Sequence, residues 1–277
     1  MYQFYRTIKS ILLHGGMAEG EASAIAFLLL EEQTGLTKAQ ILTTDTPPAD
    51  TDRLLTLAQK VAEGFPIQYA LGISDFCGLK FHVEPGVLIP RPETEELVDW
   101  VVSSCPSDQQ RRILDIGTGS GCIAVTLAKR LPHAQVTACD ISPVALRVAA
   151  QNADRHGVEV RFQHTDILTE TPQGTYDVVV SNPPYICNSE ARQMQRNVLD
   201  HEPHLALFVP DATPLLFYEA IARKSLQLLS PGGFLFFEIN RQYGTAVTSL
   251  IRSLGYTDVE LRQDQFGNDR MVRGVKN

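Results

Sequence analysis

Apolar positions along the chain change period near residue 111. Before it they recur at helical spacing. Ile8, Ile11 and Leu12 share one face, and Gly15-Gly16 breaks that pattern. Ala22–Leu30 predicts a strongly apolar helix that stops near Thr34-Gly35. Leu54, Leu57, Ala58 and Val61 keep i, i+3, i+4, i+7 spacing before Gly64, and Pro47-Pro48 marks a loop. Residues 1–73 therefore predict a small helical bundle, read here as a substrate-docking module. Phe76, Leu79, Phe81 and Val83 flank Cys77-Gly78 and predict a β-hairpin. The hairpin and a linker punctuated by Pro85-Gly86 and Pro90-Arg91-Pro92 occupy residues 74–92.

The third segment, 93–277, opens with a helix over Thr94–Ser103, and then the pattern alternates. Strands are expected at Arg112–Ile116, Gln135–Asp140, Val158–His164, Tyr176–Ser181 and Phe234–Ile239. Helices are expected at Cys122–Leu131, Pro143–Arg155, Pro214–Leu229 and Ala246–Leu254. Such alternation predicts an α/β domain whose parallel sheet is covered on both faces. Asp258–Arg262 and Met271–Lys276 add a closing antiparallel pair.

Within this frame two stretches carry chemistry. Ile113-Leu114-Asp115-Ile116-Gly117-Thr118-Gly119-Ser120-Gly121 is a strand entering a glycine-rich turn ahead of a helix. Its glycines let backbone amides at a helix N-terminus approach a ligand. The next strand ends at Asp140, placed to accept from both hydroxyls of a ribose. The G-x-G-x-G spacing is not the dinucleotide fingerprint, and no phosphate loop of the G-x-x-x-x-G-K-[ST] type occurs. Asp115 either holds a positively charged ligand group, such as the amino-acid end of S-adenosylmethionine, or caps the glycine turn. Asp166 either accepts the amino hydrogens of adenine, with Ile167 packed on the ring, or caps the turn after its strand.

The second stretch is the β-branched run Val178-Val179-Val180 leading into Asn182-Pro183-Pro184-Tyr185. Neither proline donates a backbone hydrogen bond, so the turn is rigid and rich in acceptors. The Asn182 side chain, the Pro183 carbonyl and the Tyr185 ring supply two acceptors and an aromatic face, which is what holds a planar –NH2 group. Amide side chains and exocyclic base amines both carry one. His164, His201 and His204 are candidates for a general base, although a nitrogen that becomes acidic as it forms a new bond needs none.

Composition narrows the partners. A formal charge of −8 argues against tight nonspecific binding to nucleic acid, which depends on neutralising phosphates. The five cysteines show neither C-x-x-C pairing nor ligand spacing, consistent with free thiols in a reducing compartment and no metal site. The N-terminus has no signal-peptide pattern and the apolar run Ile25–Leu30 is too short for a bilayer, so a cytoplasmic location without membrane partners is expected.

Asp115–Gly121 with Asp140 resembles the class I S-adenosylmethionine-dependent methyltransferases, and Asn182–Tyr185 resembles the motif of their amino-methylating branch. A narrower resemblance rests on Pro66-Ile67-Gln68-Tyr69, on Phe76-Cys77-Gly78-Leu79 and on Pro85 through Glu95 with its Pro-Arg-Pro-Glu-Thr-Glu. It continues through Glu202-Pro203, Leu205-Ala206-Leu207 and Gly267-Asn268-Asp269-Arg270. These are similar to the bacterial peptide chain release factor glutamine methyltransferases, the HemK/PrmC family.

The resemblance implies a helical bundle, a hairpin linker and a Rossmann-like seven-stranded domain. It implies S-adenosyl-L-methionine as methyl donor, S-adenosyl-L-homocysteine as product, and the glutamine of the Gly-Gly-Gln loop of class I release factors as acceptor. It places the cofactor on Asp115, Gly117, Thr118, Gly119, Ser120, Gly121, Asp140, Asp166, Ile167 and Asn182. It places the substrate on Asn182, Pro183, Pro184 and Tyr185, with Arg91 and Thr94 as further contacts to substrate or cofactor unless they merely stiffen the linker. A monomer is expected. Methylation of ribosomal protein L3 is the nearest alternative, and a nucleic-acid adenine or guanine amino-methyltransferase a more distant one. Two departures from the family pattern stand out: Asn240 where glycine is usual, and His201 where an aromatic residue is common.

Overall fold

The computed structural model describes residues 1–106 and 110–277 and divides the chain into two compact units. The first comprises residues 1–73 and 195–201, the second 74–194 and 202–277.

In the first unit α1 (Tyr2–His14), α2 (Glu19–Thr34), α3 (Lys38–Thr43), α4 (Thr51–Ala62) and α5 (Ile67–Leu71) surround one apolar core. Ile8 and Leu12 of α1, Ala26, Leu29 and Leu30 of α2, and Leu54, Ala58 and Val61 of α4 are all buried there. The two shortest helices have less than two turns and no readable period. The one marker of α3 is its capping box, in which Thr37 and Gln40 exchange hydrogen bonds. His201 stands edge-on to Phe65 with ring centroids 5.1 Å apart, so this departure keeps a ring contact within the unit.

The second unit begins with the hairpin β1 (Ile73–Phe76) and β2 (Leu79–His82), turning at Cys77-Gly78 with φ of 49° and 73°. The hairpin is not a free linker. Phe76 and Phe81 are buried in the core of this unit, and Asn152 clamps the β2 backbone, accepting from His82 N (2.7 Å) and donating to His82 O (2.9 Å). Next comes α6 (Pro92–Ser104), which starts at a proline suited to the first helical turn.

Alternation follows as expected: β3 (Arg112–Ile116), α7 (Cys122–Arg130), β4 (Gln135–Asp140), α8 (Pro143–His156), β5 (Val160–His164) and β6 (Tyr176–Ser181). A small pair, β7 (Ile186–Cys187) and β8 (Phe208–Val209), brackets α9 (Arg196–His201) and α10 (His204–Leu207). The chain closes with α11 (Leu216–Leu228), β9 (Leu229–Glu238), α12 (Gly244–Ser253), β10 (Tyr256–Gln263) and β11 (Asp269–Lys276).

Seven strands form one sheet in the order β10-β11-β9-β6-β3-β4-β5. β11 runs antiparallel to both neighbours, and the remaining pairs are parallel. The architecture is the Rossmann-like one anticipated. Side chains alternate across β6: Val178 and Val180 enter the core shared with α6 and α7, and Val179 enters the core shared with α11 and α12. All three are fully buried, and burying each contributes about 1.5–3 kcal/mol. That burial anchors the strand whose end carries Asn182. Chain order reverses between β3 and β6, so a crevice opens at the carboxyl ends of those two strands, where doubly wound sheets bind ligands.

Candidate active site

A cavity of about 270 Å³ occupies that crevice. Gly117 and Gly119 after β3, Asp140 at the end of β4, Asp166 and Ile167 after β5, and Asn182, Pro183 and Pro184 after β6 all line it. Its outer wall comes from residues 86–88 and from Pro203, Leu205 and Ala206.

The glycine turn is held from beneath. Gly119, at φ 55°, presents its N–H to Asp140 Oδ2 (2.9 Å), and Asp140 Oδ1 accepts from Ser142 N (2.9 Å). Asp140 is thus fixed by the backbone where it lines the cavity. Burial raises its pKa, and backbone hydrogen bonds from Ser142 and Gly119 oppose the shift. Gly121 has a different role. Its φ is 80°, and an added Cβ would lie 2.9 Å from that of Ala149, so it lets α7 approach α8.

Asp115 lies under the turn, fully buried. Its Oδ2 accepts from Thr118 Oγ1 (2.6 Å), and Oδ1 is buried with no hydrogen-bond partner. Burial lifts its pKa to about 7, the Thr118 hydroxyl opposing and the charge of Asp140 adding. The backbone N–H of Ala124 also favours the charged form. Four residues expected at the cofactor, Asp115, Thr118, Ser120 and Gly121, form the floor of the turn and do not line the cavity. Asp166 lines the cavity, and its carboxylate caps the turn after β5, accepting from Leu168 N (2.9 Å) and Thr169 Oγ1 (3.0 Å).

Asn182 is oriented from behind. Its Nδ2 donates to Thr94 Oγ1 (3.2 Å), the Thr94 hydroxyl donates to Glu238 Oε2 (2.6 Å), and Tyr185 OH donates to Glu238 Oε1 (3.1 Å). Thr94 and Glu238 are 2% and 1% exposed, so neither is a surface contact. Thr94 and Arg91, expected to touch the ligand directly, do not line the cavity, and nor does Tyr185. Arg91 instead pairs with the buried Glu202 (2.6 Å), whose other oxygen accepts from Ile89 N (3.2 Å). The pair joins the two segments that make the outer wall. Of the candidate bases, His164 donates to the carbonyl of Ile141 (2.8 Å) and His204 stands edge-on to Phe208, and neither lines the cavity.

Glu238 is the site residue that the sequence did not single out, and its only signal was a charge at the end of an otherwise apolar strand. Asn240 now has a reason. Its Nδ2 donates to the Tyr185 carbonyl (3.1 Å) and to Glu190 (3.1 Å), tying the turn after β6 to the end of β9. Among the described residues no helix is long and apolar enough to cross a membrane.

Comparison with known proteins agrees with this geometry. Residues 80–204 match the methyltransferase small domain family model. A release factor glutamine methyltransferase of Bacteroides thetaiotaomicron is 52% identical over 75% of this chain and 74% of its own. One from Flavobacterium psychrophilum is 41% identical over 98% of this chain and 96% of its own. Among solved structures, a methyltransferase from Pyrococcus furiosus superposes with a TM-score of 0.52 at 19% identity, covering 82% of this chain and 97% of that one. The T. thermophilus 16S rRNA N2 G1207 methyltransferase, in complex with AdoMet and guanosine, gives 0.54 at 17% identity over 74% of this chain and 50% of its own. These likenesses carry the fold, and the curated relatives carry the family: the chain belongs to the release factor glutamine methyltransferases.

Proposed function

We propose that this protein transfers a methyl group from S-adenosyl-L-methionine to the side-chain amide nitrogen, N5, of the glutamine in the Gly-Gly-Gln loop of class I peptide chain release factors. The observation that carries the reading is the commitment of Asn182 Nδ2 to Thr94, which leaves Oδ1 as the amide atom for a ligand in the cavity. An acceptor so fixed suits an –NH2 donor.

The residues divide the work as follows. Gly117, Gly119, Asp140, Asp166 and Ile167 hold the cofactor, and Asp115 beneath them supplies negative charge. When bound, S-adenosylmethionine provides an electrophilic methyl on a cationic sulfur. Asn182 Oδ1 and the Pro183 carbonyl each accept one N–H of the glutamine amide. A free amide nitrogen is a poor nucleophile because its lone pair is conjugated with its carbonyl. Holding both hydrogens fixes the nitrogen for in-line attack, and the same acceptors stabilise positive charge developing there. Positioning of this kind is worth about 7–11 kcal/mol in favourable cases. The helical unit of residues 1–73 docks the release factor, and the enzyme acts in the cytoplasm as a monomer.

Methyl transfer from labelled S-adenosylmethionine to purified release factor, beside ribosomal protein L3, DNA and RNA, tests the assignment. Label on the release factor that disappears from a Gln→Ala substrate is expected. Label on L3 or nucleic acid in its place would overturn the choice of acceptor.

A further inference from the structure

Behind the Asn182 turn lies a line of hydrogen bonds whose direction is set at one end. Glu238 is fully buried, and each of its oxygens receives a hydroxyl, Thr94 Oγ1 at 2.6 Å and Tyr185 OH at 3.1 Å. Burial raises the pKa of Glu238, while the Thr94 and Tyr185 hydroxyls and the charge of Arg270 favour its ionised form. As a carboxylate it only accepts, and both hydroxyls then point their protons toward it. With its single proton spent on Glu238, Thr94 has only lone pairs to offer Asn182. The Asn182 amide group meets it at 3.2 Å and must present Nδ2. Oδ1 is then turned to the cavity by elimination, whichever way an amide would otherwise lie.

We infer that Glu238 is a positioning residue for methyl transfer: acting through Thr94, it fixes which atom of Asn182 faces the acceptor nitrogen. This rests on the glutamine-methylating reading above and adds to it the origin of the site's polarity. Were the line reversed, Asn182 would present an –NH2 to the substrate –NH2. Two donors would face each other, and the acceptor amide would lose one of its two anchors. Glu238 need not touch substrate or cofactor to have this effect. Tyr185, whose hydroxyl donates to Oε1 of the same carboxylate, keeps Glu238 from turning Oε2 away from Thr94.

Three variants test it. Thr94→Val keeps the shape and removes the hydroxyl. Thr94→Ser keeps the hydroxyl. Glu238→Met keeps the length and removes both acceptors, so that the Thr94 proton is no longer held away from Asn182. Each is assayed for turnover on purified release factor, for the Kd of S-adenosylmethionine by titration calorimetry, and for thermal unfolding. Removing a hydrogen bond that orients the contacting residue, as opposed to one to the reacting atoms, lowers activity by about 10–100-fold. Thr94→Val is expected to fall in that range with cofactor Kd within about 3-fold of wild type, Glu238→Met to lose about 10-fold or more, and Thr94→Ser to recover most of the activity. Near wild-type kcat in Thr94→Val or Glu238→Met overturns the inference. So does a Thr94→Ser variant as inactive as Thr94→Val, since the site would then need the methyl group and not the hydroxyl. If Thr94→Val unfolds, the other two variants decide the matter by the same criteria. A wild-type enzyme that labels no release factor would instead remove the functional reading on which the inference stands.

Discussion

Replacing Asp115 by Asn should make the empty protein more stable and the enzyme worse. The carboxyl is fully buried with Oδ1 unpartnered, and burial shifts its pKa from 3.8 to about 7. In the unfolded chain the group ionises near 3.8, so between those two values the unfolded state has released a proton that the folded state still holds. The unfolded state is therefore favoured progressively as pH rises. The penalty is absent well below 3.8, grows through the interval, and levels off above about 7. A shift of about 3 units corresponds to roughly 4 kcal/mol, of which about 2.5 kcal/mol develops between about pH 5 and pH 8. Asparagine keeps the shape and the acceptor for Thr118 and removes the titration. Urea unfolding of both proteins without ligand, at those two pH values, should show the variant gaining about 2.5 kcal/mol on wild type from the lower pH to the higher. Taking the difference between the two proteins cancels titrations they share. In the same variant, affinity for cationic S-adenosylmethionine should fall at the higher pH. A stability difference that does not change with pH would refute the assignment of strain to this carboxylate.

Other substitutions test the rest of the cavity. Asp140→Ala should weaken S-adenosylmethionine binding by about 1.5–3 kcal/mol in titration calorimetry, the loss of a charged hydrogen-bond acceptor, and an unchanged Kd would contradict its role. Arg91→Met strands the buried Glu202 and should lower stability by about 1–2 kcal/mol, a figure reduced because Arg91 is one-third exposed, whereas Arg91→Met with Glu202→Met should recover much of the loss in chemical unfolding. Gly121→Ala must place a Cβ against Ala149 at positive φ and should cost about 1–3 kcal/mol of stability, visible as a lowered Tm with or without cofactor.

Much of the catalytic unit was legible in the chain because period alone defines it. The boundaries of β3, β4 and β6 are those that the apolar runs predict, and the cavity lies beyond their carboxyl ends, at Gly119, Asp140 and Asn182. β9 begins at Leu229, five residues before the apolar run at Phe234, because Pro231-Gly232-Gly233 conceals a strand that pairs across an irregular register with β6. The region between Ile186 and Val209 was unreadable, since its pieces have two to six residues and are fixed by distant partners such as Asn240, which donates to Glu190. The compact first unit also takes in 195–201, a joining of distant segments that no local pattern announces. In the site, residue types were legible but their layers were not. Asp115, Thr118 and Thr94 were identified as important, yet whether a side chain lines a cavity or supports one that does depends on packing. Glu238 lay outside the motifs because it meets Thr94 across 144 positions of sequence.

The measurement that tests the central claim most directly is single-turnover methyl transfer by Asn182→Ala on purified release factor, paired with its S-adenosylmethionine affinity. The acceptor role predicts that transfer disappears while Kd stays close to wild type. Transfer at a rate near wild type would show that the turn after β6 does not hold the glutamine amide.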